Sequence, residues 1–222
     1  MDRIAEIETR KGEKSQFFRV GQDLIDVKKG DLCIIELTQG TIDYGKVYGF
    51  IEGKTLLKPT ISGKVLRKVT DKDIEVIKEN RGKVLECIAI CKEKIKTYNL
   101  PMKLIDAEYS FDRTKITFYY WSESRIDFRN LVRELAKIFN CRIEMRQIGL
   151  RDEAKIKGGY GICGCPLCCA QFLRRFDSIT MRMVKNQNLP LDINKITGQC
   201  GRLLCCLGYE DELYKKELLK KQ

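Results

Sequence analysis

The sequence contains no histidine, only four prolines and a single tryptophan, and its apolar stretches are short. Without histidine the chain can form neither a Ser-His-Asp triad nor a Cys-His nucleophile pair, and no imidazole can bind a metal. Any bound metal must therefore be held by cysteine thiolates, with or without a carboxylate. No apolar run approaches the ~18 residues that a membrane-spanning helix needs, so we expect no membrane segment.

The first residues also lack the apolar core of a secretory signal, because charged side chains interrupt every apolar stretch between Met1 and Ile7. We therefore expect a cytoplasmic protein. In a reducing cytosol the eleven cysteines are not a disulfide framework. Metal binding and thiol redox chemistry become the leading explanations for them.

Positive charge is in excess, with 42 Lys and Arg against 31 Asp and Glu, a formal net charge of +11. Residues 155–202 hold 8 basic and 2 acidic side chains, a net of +6. Cations near thiols favour thiolate ligation, and they also attract a polyanion such as RNA. An ordinary solvated surface would have the same composition. The candidate RNA-binding or partner-binding residues of this segment are Arg174, Arg175, Arg182, Lys185 and Arg202.

The sequence predicts short strands joined by turns in the first third of the chain. Residues 31–37 and 44–50 are β-rich, and glycines at the turns suit the corners of a small barrel, so residues 1–69 are predicted to form one. An α-β-β-α-β domain is predicted for residues 70–150, and its first helix begins with a capping box at Thr70 and Asp73. Residues 151–222 form a cysteine-rich segment with a C-terminal helix. The predicted fold class is α+β.

The predicted second helix, residues 126–139, carries a row of cations. Like charges four residues apart destabilise a helix by a few tenths of a kcal/mol per pair. A phosphate backbone could neutralise the row, and so could acidic neighbours such as Glu134 or another subunit. These further RNA-binding or partner-binding candidates are Arg125, Arg129, Arg133 and Lys137. On the first helix, Cys87 and Cys91 are interpreted as small core residues.

Seven of the eleven cysteines lie between residues 163 and 206, and they form a repeat. Residues 161–169 and 198–206 both read G-x-C-G-x-x-L-C-C. The glycine after the first cysteine allows a tight turn, and the next residues bring a second cysteine back to the same centre. Two such loops would supply four thiolates for Zn²⁺ or an iron–sulfur cluster. The predicted ligands are Cys163, Cys168, Cys200 and Cys205, with Cys165, Cys169 and Cys206 as further candidates.

Two other interpretations of the cysteines remain open. They could be buried small hydrophobic residues, or Cys165 and Cys168 could serve a thiol–disulfide enzyme. Cys165 has no counterpart in the second repeat, where Arg202 takes its place.

The repeats lie in a longer stretch that resembles a known family. The shared residues are 158–164 and 166–169, then 183–189, and finally 195–198 and 200–210. In these residues the chain resembles bacterial proteins with the polymerase-suppressor-type C-terminal conserved domain, the family of the RicT/YaaT-like sporulation regulators. Six of the seven cysteines fit the family pattern, and Cys165 departs from it.

The resemblance implies a non-enzymatic regulator that works in a Ric-like complex with small helical partner proteins. It also implies a bound iron–sulfur cluster, of the 4Fe–4S type, and the steering of an endoribonuclease in RNA processing or turnover. Relatives outside bacteria look like RNA-associated proteins, so direct RNA binding is a further expectation. A zinc-stabilised nucleic-acid-binding module is the first alternative, and a thiol redox protein is the second.

Overall fold

A computed structural model gives the positions of residues 3–9, 15–51, 60–173 and 178–220, with side chains as far as residue 215. Arg174 and Arg175 lie outside the described residues. The chain divides into two compact units, Met1–Ile148 and Gly149–Gln222. The predicted barrel and the predicted sheet both fall in the first unit, and the division into three domains stays a prediction.

The first unit begins with a closed five-stranded barrel, in the strand order β1-β2-β5-β3-β4. Apolar residues alternate along the strands, so that Ala5, Ile7, Phe18, Cys33 and Ile35 are fully buried inside it. β2 and β5 pair in parallel, and the other neighbours pair antiparallel. The strands are β1 (Arg3–Glu8), β2 (Gln16–Val20), β3 (Leu32–Leu37), β4 (Ile42–Ile51) and β5 (Ile61–Lys68).

A three-stranded sheet with two helices on one face completes the first unit, which confirms the predicted α+β class and the α-β-β-α-β order. β6 and β7 are antiparallel, whereas β7 and β8 are parallel. Cys87 and Cys91 are buried in the core between helix and sheet, as predicted. The elements are α1 (Asp71–Thr97), β6 (Lys103–Tyr109), β7 (Lys115–Trp121), α2 (Arg129–Phe139) and β8 (Arg142–Gln147).

The first turn of α1 confirms the predicted capping box. The backbone N–H of Thr70 donates to Oδ2 of Asp73 at 2.8 Å. Arg67 of β5 forms an ion pair with the same carboxylate. This hydrogen bond and this charge hold the pKa of Asp73 well below its usual range, with the Arg67 contact as the larger cause.

The second helix begins later than its sequence predicts. Asp127 accepts a hydrogen bond from the backbone N–H of Arg129 at 3.1 Å, and α2 starts only at Arg129. Asp127 also forms an ion pair with the Arg129 side chain. Arg125 therefore precedes the helix, and the predicted helical row of four cations is reduced to Arg129, Arg133 and Lys137.

The sheet face away from the helices is polar. Lys115, Thr117 and Tyr119 of β7 point to this face and are buried. The barrel packs against the same side, where the backbone N–H of Ile42 donates to Asp112 at 3.1 Å. The junction between barrel and sheet is therefore lined by hydrogen-bonding and charged groups together with the apolar side chains of Leu37 and Ile61.

The described part of the second unit contains five helices, four of which have eight residues or fewer, and its buried core is small. Val184, Ile196 and Leu207 are the buried apolar residues of this core. Asp211 is also buried, in an ion pair with Lys215 and a hydrogen bond from Asn186. No helix in the described part of the chain is long and apolar enough to cross a membrane. The helices are α3 (Leu150–Lys157), α4 (Cys168–Gln171), α5 (Met181–Asn186), α6 (Ile193–Ile196) and α7 (Cys205–Lys220).

Candidate metal centre at two cysteine hairpins

The two sequence repeats fold into hairpins with the same backbone pattern, at residues 160–168 and 197–205. A β-bridge closes each hairpin, between Tyr160 and Pro166 in the first and between Thr197 and Leu203 in the second. The N–H of the glycine that begins each repeat donates across the hairpin at 2.8 Å in both cases. The repeat in the sequence is therefore a repeat in structure.

A glycine with a left-handed backbone turns each hairpin. Gly164 has a φ of 76° and Gly201 a φ of 71°, a region that L side chains rarely adopt. The N–H of each donates back to the first glycine of its repeat, at 3.0 Å and 2.9 Å respectively. This geometry explains why glycine follows the first cysteine in both repeats.

Each hairpin leads directly into a helix whose first residue is a cysteine. Cys168 begins α4, and Cys205 begins α7. The leucine before each cysteine donates its N–H to the carbonyl of the residue just before the hairpin, Leu167 at 3.1 Å and Leu204 at 2.9 Å. The two cysteines therefore hold equivalent positions in two rigid turns.

The side chains of Cys168 and Cys205 meet through a hydrogen bond between their thiols. Burial, followed by the nearby Cys205 and Cys206, raises the pKa of Cys168 to about 11. Burial also raises the pKa of Cys169, followed by the charges of Cys205 and Cys200. The structure thus gathers thiols from both hairpins.

Two cysteines of the first hairpin are more accessible than this group. Cys163 and Cys165 are exposed. The sulfur of Cys163 folds back over its own hairpin, where it lies 3.3 Å from the Cβ position of Gly161. Among the described residues, no group of three or more cysteines, aspartates and glutamates is arranged to hold a metal ion. The predicted ligand set stays a prediction.

Sequence reasoning missed one residue at this site. Arg151 of α3 donates from Nη2 to the carbonyl oxygen of Leu203 at 3.1 Å, and it fixes the second hairpin. Its positive charge also opposes the effect of burial on the pKa of Cys169. Arg151 lies four residues before the basic segment counted in the sequence, and nothing in its spacing links it to the cysteines.

The described basic candidates are all on the surface. Arg182 and Lys185 are exposed on α5, and Arg202 is exposed in the second hairpin, so that they flank the cysteines within the second unit. In the first unit, Arg125, Arg129, Arg133 and Lys137 are exposed as well. The chain can therefore present these cations to a partner, and their binding role stays a prediction.

Comparison with known proteins gives two family matches. Residues 63–148 match the PSP1 C-terminal conserved region, and residues 178–221 match the third domain of PSP1-like proteins. The first cysteine hairpin lies between the two matched ranges, and the second hairpin lies within the latter. No solved structure shows a significant match to the chain.

Three relatives are similar over different lengths. The chain is 45% identical over 188 residues to the Stage 0 sporulation protein YaaT of Bacillus subtilis, which covers 83% of this chain and 68% of that protein. It is 50% identical over 50 residues to Protein PSP1 of Saccharomyces cerevisiae, 21% of this chain and 6% of that protein. An uncharacterised protein of Schizosaccharomyces pombe is 38% identical over 82 residues, 37% of this chain and 11% of that protein. The resemblance seen in the cysteine repeats is confirmed: the chain belongs to the PSP1/YaaT family.

Proposed function

We propose that the protein is a non-enzymatic regulatory adaptor whose two cysteine hairpins hold an iron–sulfur cluster. It acts in a complex with small helical partner proteins and modulates RNA processing by an endoribonuclease. The observation that supports the metal site is the thiol contact between Cys168 and Cys205, which joins two hairpins of the same geometry. The partners and the nuclease rest on the family resemblance.

The residues that would hold the cluster are the paired cysteines of the repeats. Cys168 and Cys205 already meet, whereas Cys163 would have to turn away from Gly161 to join them. The histidine-free donor set fits a thiolate-ligated group, which supplies sensitivity to oxidation when it is bound. The remaining candidate ligands are Cys165, Cys169, Cys200 and Cys206.

The first test is the metal and sulfide content of protein purified without oxygen, together with its absorption spectrum. Iron with matching sulfide and a broad visible band would support the proposal. Cys200→Ser and Cys205→Ser should each lower the iron content by at least half. Cys141→Ser is the matched control, because Cys141 is half-buried in the first unit and should not alter iron content. Full iron content in both hairpin variants would contradict the proposal.

A structural zinc ion is the second candidate, and the small core of the second unit favours it. Among the described residues of this unit, the apolar core has only three buried members, and metal binding often replaces a core in small domains. In that case zinc would be stoichiometric, sulfide would be absent, and oxidation would not change the visible spectrum. The protein would then be a constitutive nucleic-acid-binding module.

The RNA part of the proposal is tested through its dependence on salt. If Arg182 and Lys185 contact phosphates of single-stranded RNA, the double variant Arg182→Gln/Lys185→Gln should reduce the slope of log K against log salt by about 1.4. Lys72→Gln/Lys78→Gln removes the same charge from exposed positions of α1 and serves as the control. An equal effect of both pairs would mean that only net charge matters, and an unchanged slope would exclude phosphate contacts by α5.

A further inference from the structure

The thiols of Cys168 and Cys205 touch, although they belong to different hairpins. A hydrogen bond joins the two sulfur atoms, and both side chains are free thiols that are half-buried. A small molecule can therefore reach them, whereas the fully buried thiol of Cys91 in the first unit is closed to it. Since each cysteine of the pair begins a helix at the end of a rigid turn, the contact is a fixed feature of the second unit.

A second contact between the same two segments lies one helical turn further along each of them. Phe172 follows Cys168 by four residues, and Tyr209 follows Cys205 by four. The two rings pack edge to face, with their centroids 5.2 Å apart. Equivalent positions of the two repeats therefore meet twice, first as thiols and then as rings. The ring contact keeps the segments side by side and holds the two sulfur atoms near each other.

This arrangement meets the geometric condition for a disulfide. An S–S bond is about 2.05 Å long, and it forms without backbone movement only where the two side chains already approach each other. Sulfur atoms that share a hydrogen bond have little distance left to close. Cys87 in the first unit differs, because its thiol contacts the hydroxyl of Tyr109 at 3.3 Å. The second unit therefore offers an oxidant a thiol pair that is both accessible and in contact.

We propose that Cys168 and Cys205 form a reversible disulfide when no metal occupies the hairpins, and that this bond closes the site to metal. The oxidant is a low-molecular-weight disulfide such as glutathione disulfide. A sulfur in an S–S bond is no longer a thiolate, so the bond removes one predicted ligand from each hairpin, and a four-thiolate site then lacks half of its predicted ligands. The second half of this inference rests on the proposed metal site, whereas the first half rests on the thiol contact alone.

The reaction needs only the two thiols and the small disulfide. The thiolate of one cysteine attacks a sulfur of glutathione disulfide, the S–S bond of that molecule breaks, and one glutathione leaves. The thiolate of the other cysteine then attacks the cysteine sulfur of the mixed disulfide and releases the second glutathione. The two cysteine protons pass to the two released thiolates, so two protein thiols are oxidised and one small disulfide is reduced. An excess of a small thiol runs the same steps backward, which makes the bond reversible.

The first test uses the full chain, with metal removed by a chelator and the fold verified by circular dichroism. The protein is equilibrated without oxygen in reduced and oxidised glutathione, free thiols are blocked with N-ethylmaleimide, and disulfide-linked peptides are identified by mass spectrometry. The peptides that join Cys168 to Cys205 should exceed every other disulfide at least tenfold, because contact raises the effective concentration of these two thiols. Dithiothreitol should remove the bond. The chain unfolded in urea is the control, since its cysteines pair without the fold and the preference should vanish.

The second test compares metal uptake by the reduced and the oxidised protein, with Zn²⁺ and with iron plus sulfide. The oxidised protein should bind less than about one tenth of the metal that the reduced protein binds, and reduction should restore uptake. Cys141→Ser is the matched control, since Cys141 lies in the first unit and its loss should change neither the bond nor its effect on uptake.

Three results would overturn the proposal: no disulfide forms within the folded chain, the main disulfide joins other cysteines, or the oxidised protein that carries the bond binds metal as well as the reduced protein does. If the reduced protein binds neither Zn²⁺ nor iron, the proposed metal site is wrong and the second half of the inference is wrong with it. The peptide analysis decides the disulfide in either case.

Discussion

At the scale of single residues, the cysteines of the two hairpins differ in environment although their sequences repeat. Cys169 is buried, and Cys168 shares a hydrogen bond with Cys205. Cys163 and Cys165, by contrast, are exposed on the first hairpin. Because the thiolate is both the nucleophile and the metal ligand, burial makes a thiol less reactive in the metal-free protein. The hairpins therefore contain two accessible thiols, Cys163 and Cys165, and a protected group that includes Cys168 and Cys169.

Timed alkylation of the metal-free protein should reveal this difference. At pH 8, iodoacetamide should modify Cys163 and Cys165 at least tenfold faster than Cys168, because Cys168 is half-buried and its pKa is raised to about 11. Peptide mass spectrometry at successive times measures the order. Cys91, which is fully buried, is an internal control that should react last. Modification of Cys168 at the rate of Cys165 would contradict the described contact between the hairpins.

At the scale of elements, the turn glycine of each hairpin is the feature that fixes its shape. A Cβ at Gly201 would meet no atom within 4 Å, so only the positive φ of 71° disfavours a side chain there. Gly201→Ala should lower the free energy of unfolding of the second unit by about 1–2 kcal/mol. Gly201→Asn should cost less, because asparagine tolerates this conformation better. Urea unfolding measures both variants, and equal stability of Gly201→Ala and the natural protein would contradict the turn geometry.

The capping box of α1 makes a prediction about pH. Asp73→Asn should lower the free energy of unfolding of the first unit by about 2 kcal/mol at pH 7, because a charge-assisted contact with Arg67 is lost. The folded pKa of Asp73 is depressed, so its stabilisation is present above the unfolded value of about 3.9 and is lost as pH falls through the folded value. The difference between the natural protein and the variant should therefore shrink below pH 4.

Urea titrations at pH 7 and pH 3 provide the measurement. Asp71→Asn is the matched control, since Asp71 is an exposed acid in the same helical turn. It should cost only about 0.5 kcal/mol through the helix dipole. A pH-independent difference for Asp73→Asn would show that its charge does not stabilise the cap.

The sequence predicts elements well where the determinants are local. The capping box at Thr70 and the β7 strand of Lys115–Trp121 are found as predicted. The predicted start of α2 is three residues too early. The apolar pattern begins at residue 126, but the carboxylate of Asp127 accepts the backbone N–H of Arg129, and the helix begins only there. The apolar periodicity alone does not indicate which of two adjacent turns begins the helix.

At the scale of the whole molecule, the sequence predicts the cysteine repeats, but it does not predict sites that form only when distant parts of the chain pack together. The cysteine repeats are visible because each lies within nine residues. Asp43, Lys115 and Glu144 line one cavity between barrel and sheet although they are far apart in the chain. Lys115 and Glu144 become neighbours when β7 pairs with β8, and Asp43 joins them only when the barrel packs against the sheet. No local pattern marks them, so the cavity could not be predicted from sequence.

The two units also differ in how their folds are stabilised, which leads to a prediction about metal removal. The first unit has two extensive apolar cores, whereas the described residues of the second unit form a core with three buried apolar members. If thiolate ligation stabilises the second unit, chelation should increase amide hydrogen exchange across residues 149–220 by at least tenfold. Exchange in β7 and α1 of the first unit should stay unchanged.

Hydrogen-exchange mass spectrometry of the metal-loaded and the chelated protein makes this comparison within one molecule. The variant Cys200→Ser should reproduce the effect of the chelator, and Cys141→Ser should not, because Cys141 lies in the first unit. Faster exchange in both units would mean that the chelator destabilises the protein nonspecifically. Unchanged exchange in the second unit, with the metal demonstrably removed, would show that its few buried contacts suffice and that the metal has no structural role.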